Sequence, residues 1–199
     1  MNKPNILNDV GWGYLCPKST PQRKQQLNEY ANLFLVPALG KYPELFGKVY
    51  LALRKNGFFA YKEPVLNIII PENCMINYDE YRLRFITAHE LLHLVQFIHG
   101  VDSKWKVKFI ERQATFMAFE RGFALDFIKA FPTSCQRQCD MKGRFCYYNC
   151  SWIFQKCCKE YTEKEQIILA QKLEKLASKY TIYDQVDYIE IVRKALISI

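Results

Sequence analysis

Long apolar runs are missing from this 199-residue chain. A bilayer-spanning helix needs about 18 consecutive apolar residues, so no membrane insertion is expected. The longest candidate, Val65 to Ile70, is short and rich in β-branched residues and reads as a buried strand. Met1 to Asp9 lacks the basic-then-apolar layout of a secretory signal, and the expected location is cytoplasmic. Blocks of five or six like charges are absent too, so the net charge of +8 is not gathered into a basic tail. Such a balance permits contact with nucleic acid, anionic lipid or acidic proteins and selects none of them. No DNA-binding module or aromatic-basic motif singles out nucleic acid. Repeats and low-complexity linkers are also lacking.

What is present suits an ordered globular chain. Half of the residues are hydrophobic, 24% are charged and 15% are aromatic, which excludes a disordered polar chain and allows a sizeable core. Thr20-Pro21 predicts a helix start, with the helix ending near Leu39 before Gly40. Lys48 to Arg54 alternates as a strand does. Asn56-Gly57 predicts a hairpin turn, with Phe58 to Tyr61 as the returning strand. Val65 to Ile70 is the third strand. Asn77 and Glu80 have capping-box spacing and open a helix to His99, stopped by Gly100. Asp102-Ser103 can cap a further helix running uninterrupted to about Phe131. Thr162 and Glu165 open another, to about Tyr180, and a last one fills Asp184 to Ser198.

Histidine is the scarcest of the chemically useful residues: there are three, all within residues 89–99. His89 and His93 stand four apart on a predicted helix, so both imidazoles leave one face and can share an ion. Glu90 lies beside them, where a carboxylate can act as general base on a metal-polarised water. This is the HExxH spacing. A catalytic zinc site asks for a third protein ligand. Glu111 is one candidate, because Ala114, Thr115 and Ala118 share its helical face and are small. Phe116, Phe119, Phe123 and Phe127 form a separate, bulky stripe suited to the core. His99 is the other candidate, six residues beyond His93. A helix unbroken at Gln96 would carry His99 about 120° away from the His93 face, which favours Glu111.

Thr87-Ala88-His89-Glu90-Leu91-Leu92-His93, followed by Glu111-Arg112-Gln113-Ala114, resembles the gluzincin group of zinc metallopeptidases. The resemblance covers about residues 45–130. It implies an α+β, zincin-like fold: a small antiparallel-containing sheet packed on the HExxH helix, and a second helix bearing Glu111. Val65 to Ile70 would be the edge strand that pairs with extended substrate. It further implies one zinc ion on His89, His93 and Glu111, and hydrolysis of a peptide bond in a protein or peptide substrate. Glu90 would take the water's proton and pass it to the leaving amine. A tyrosine or arginine would have to stabilise the oxyanion, since no histidine follows His99. Two other functions stay open: a zincin-fold module that only binds a partner, and a protease acting on nucleic-acid-associated proteins.

Residues 1–131 would form the zincin-like core and 132–199 a cysteine-rich helical extension. Six of the eight cysteines fall between Cys135 and Cys158. Cys135 and Cys139 are four apart, as are Cys146 and Cys150, so each pair shares a helical face. Disulfides, a four-thiolate zinc site, an iron–sulfur cluster and packed free thiols are all compatible with that spacing.

Overall fold

Thr20 caps the first helix as expected: its hydroxyl accepts from the Arg23 amide, and Pro21 occupies the first helical position. The computed structural model describes residues 20–54, 57–62, 66–101, 107–130, 161–188 and 190–192. Helix α1 spans Pro21–Tyr30. It passes through a π-helical turn, Ala31–Leu35, into α2, Val36–Leu39. Pro37 accounts for the wide turn. Proline has no amide hydrogen and crowds the carbonyl four residues earlier, and the bonding shifts so that the Val36 amide reaches Ala31 O. A 3-10 turn, Pro43–Leu45, leads to the strands.

The described residues are α+β, mostly helical, with one small mixed sheet. Its strands are β1 (Tyr50–Arg54), β2 (Phe59–Tyr61) and β3 (Asn67–Pro71), in the order β1-β3-β2. β1 runs parallel to β3, with Tyr50 opposite Asn67. β2 runs antiparallel to it, with Phe59 opposite Ile69. The expected β1–β2 hairpin therefore does not form, and β3 is the central strand rather than the edge. The reason lies in composition. Every residue from Asn67 to Pro71 is buried, and the Ile68-Ile69-Ile70 run needs cover on both faces. A central strand is paired along both edges and lies where packed layers can cover both faces, as an edge strand does not. The three-residue β2, with Phe59 partly exposed, takes the edge.

After β3 come α3 (Cys74–Asn77) and α4 (Glu80–Ile98). The cap of α4 is Asp79, whose carboxylate accepts from the Arg82 amide, and not Asn77. Asn77 is used up closing α3, and the extended Tyr78 separates the two helices. Helix α4 packs on the π turn, on α2 and on β2 and β3. Leu83, Phe85, Ile86, Leu91, Leu92, Leu94 and Val95 are buried.

The chain divides into two compact units, Met1–Gly100 and Val101–Ile199. In the second, α5 (Val107–Glu120) and α6 (Ala124–Ala130) both pack on α7 (Glu163–Ala177). The continuous helix expected up to Phe131 is broken instead at Gly122. Its φ of +88° is a left-handed conformation that glycine adopts without strain. The Phe123 amide then reaches back to Ala118 O, closing the end of α5. The four-phenylalanine stripe is buried as expected. The Thr162–Glu165 capping box is complete, each side chain bonding to the other residue's backbone amide. The boundary suggested at 131–132 lies outside the described residues, as do Cys135, Cys139, Cys146 and Cys150. Among the described residues the one cysteine, Cys74, is a free buried thiol.

Candidate metal centre

The amphipathic pattern of residues 86–98 builds one unbroken helix around the histidines. No break occurs at Gln96: α4 continues to Ile98. His99 is its C-cap residue and is exposed, and Gly100 follows with φ +65°. Both His89 and His93 are buried, at 1% and 7% exposure. Their Nε2 atoms stand 3.0 Å apart, with the rings edge to face.

That separation fits chelation. Two nitrogens at about 2.05 Å from one tetrahedral ion lie roughly 3.3 Å apart. The donor atoms of His89, His93 and Glu111 all lie within 4.8 Å of one another, so this group can hold a metal ion. Glu111 is half-buried, on the first turns of α5. His99 is not part of the group.

Glu90 is 5% exposed on the same helix as the two histidines. A buried carboxylate belongs there only with polar or charged partners, and it is electrostatically coupled to its surroundings. Tyr30 is a group that registers it. Burial pushes the Tyr30 phenol far above its ordinary range; the hydrogen bond to Thr87 opposes this, and the charges of Cys74 and Glu90 add to the rise. The phenol is therefore a fixed donor.

Four polar contacts secure this helix. Thr87 gives its hydroxyl hydrogen to Leu83 O at 2.6 Å, so at the 2.5 Å Tyr30–Thr87 contact Tyr30 donates. Tyr42 donates to Ala88 O at 3.0 Å. His93 Nδ1 lies 2.7 Å from Gln96 Oε1, and Gln96 is fully buried. The two tyrosines are distant in sequence, and no local pattern marks them. Gln96 did carry a signal: it is the polar residue three positions after His93, the spacing at which helical side chains meet.

On α5, Gln113 is also fully buried. It donates to Ile182 O at 2.9 Å and to the Tyr188 hydroxyl at 3.0 Å, tying α5 to the segment after α7. Gln113 therefore has a packing role within the second unit.

No protein-family model, curated protein or solved structure matches this chain.

Proposed function

We propose that the protein is a zinc-dependent metallopeptidase of zincin type. The observation that carries this reading is the convergence of two imidazoles and one carboxylate within 4.8 Å, with Glu90 directly following the first imidazole on α4. A His2Glu donor set is the kind that holds a catalytic zinc and leaves one position for water or substrate. A bound zinc would supply Lewis acidity and a water of lowered pKa. His89, His93 and Glu111 would hold it. Glu90 would accept a proton from the water and return it to the leaving amine, and its burial removes competing solvent from that exchange. The unbroken passage of α4 through Gln96 supports Glu111 over His99 as third ligand.

An extended peptide would dock at β2 rather than β3. β3 is paired on both sides, whereas β2 lies at the sheet edge and packs beside α4. A peptide added there gains main-chain hydrogen bonds in the manner of an added strand.

The test has two readouts. Purified protein should carry about one zinc per chain, lost in His93→Ala. Glu90→Gln should retain the metal and lose casein hydrolysis by a factor of roughly 10²–10⁴, the usual contribution of general acid–base catalysis. Equal metal in wild type and His93→Ala would place the metal elsewhere. Undiminished hydrolysis by Glu90→Gln would remove that carboxylate from the mechanism.

A further inference from the structure

We infer that Gln96 is a positioning residue for the metal centre, one that sets the tautomer and ring orientation of His93. The inference rests on the reading of His89, His93 and Glu111 as a metal site, and it extends that reading to a residue outside the ligand set.

A neutral imidazole carries one hydrogen, and only the other nitrogen has a lone pair for a metal. His93 turns Nε2 toward His89 and Nδ1 toward Gln96. A Gln96 carbonyl oxygen 2.7 Å from Nδ1 requires the hydrogen to be on Nδ1. That leaves the Nε2 lone pair directed at the site. The opposite amide orientation would donate to Nδ1, force the hydrogen onto Nε2 and abolish its capacity as a ligand. The amide that faces Nδ1 is held in place, because Gln96 is completely buried and sits one turn further along the same helix. Both partners are thus fixed to one rigid backbone.

His93 is thereby preset for a metal. A histidine ligand whose second nitrogen is held by an acceptor is also a stronger donor, and removing such an acceptor typically weakens metal binding about 10–100-fold.

The test uses Gln96→Leu, which keeps the approximate volume and removes the acceptor, and Gln96→Glu, which keeps an acceptor in place. Nitrogen-15 NMR of the metal-free wild type should show His93 as the Nδ1–H tautomer. Zinc titration against a chromophoric competitor should show Gln96→Leu weakened about 10–100-fold, with Gln96→Glu retaining most of the wild-type affinity. Circular dichroism and thermal melting establish that each variant is folded. If Gln96→Leu fails to fold, Gln96→Glu and the wild-type tautomer still decide. An Nε2–H tautomer of His93 in the wild type overturns the inference, and so does wild-type affinity in a folded Gln96→Leu. Zinc that binds wild type but is insensitive to Gln96 overturns the positioning role alone. A wild-type protein that takes no zinc at this site overturns the metal reading, and the positioning role with it.

Discussion

Replacing Glu111 by alanine should weaken zinc binding at least 100-fold, whereas replacing His99 should leave it within about threefold of wild type. The difference follows from helix geometry. His99 lies six residues beyond His93 on a continuous helix, which places its Cα about 9 Å further along the axis and about 120° around it. Its side chain is exposed, whereas His89 and His93 are buried. A metal–nitrogen bond of about 2.0–2.1 Å cannot bridge that offset without breaking α4. Glu111 meets no such obstacle, since one ligand atom each of His89, His93 and Glu111 lie within 4.8 Å of one another. Loss of a direct ligand should exceed the 10–100-fold effect of losing an outer partner, and 100-fold corresponds to about 2.7 kcal/mol. The assay is equilibrium competition with a zinc indicator on both variants and wild type, with melting curves to show that each is folded. If His99→Ala strips the zinc and Glu111→Ala does not, the continuous-helix argument is wrong. If neither does, the third ligand lies elsewhere.

Two further outcomes follow from the packing of the first unit and from buried titratable groups. Tyr30→Phe deletes the hydrogen donated to Thr87, a loss of about 0.5–1.5 kcal/mol; at roughly 2–4 °C per kcal/mol for a chain of this size, thermal unfolding should fall by about 1–6 °C, and an unchanged or raised Tm would refute that role. Burial is the main cause that pushes the Cys74 thiol from 9.0 up to about 11 and the Tyr188 phenol from 10.0 up to about 12, with Tyr30 raised further still. These groups lose protons first in the unfolded chain, so their contribution is intact below about pH 9 and drains away as pH rises toward 11 and 12. Urea unfolding at pH 7, 9 and 10.5 should show falling stability across that range; a flat profile would contradict the burial of all three.

Local signals in the sequence were the ones that held. Thr20-Pro21 and the Thr162–Glu165 box act within one helical turn, and both form as their spacing implies. The course of α4 through Gln96 to its end beside Gly100 is equally local, since it needs only the absence of a breaker and one glycine that tolerates positive φ. The sheet was not legible in the same way. Asn56-Gly57 is a strong hairpin signal, yet strand partners are chosen by burial across long sequence separations. An Ile68–Ile70 run that must be covered on both faces displaces β2 from β1. Gly122 gives no clear stop signal, because an isolated glycine inside a helical pattern is usually tolerated, and only the backbone shows it at φ +88°.

The histidine pair was visible from spacing, but what holds it in place was not. Tyr30 and Tyr42 reach Thr87 and Ala88 across 57 and 46 residues, and Gln96 closes on His93 from the other side. These contacts bracket residues 89–93 within a helix that is otherwise packed by apolar side chains. A core built only for stability would replace them at little loss, because a buried hydrogen bond nets only about 1 kcal/mol and an unsatisfied partner costs more than that. Buried polar groups instead admit fewer alternative packings than hydrocarbon does, since each must keep its partner at hydrogen-bonding distance. Placed immediately before His89 and one turn after His93, they restrict the rotation and translation of the turn that carries the two imidazoles. This makes Tyr30, Tyr42 and Gln96 the positions where conservative changes should loosen the site before they unfold the chain.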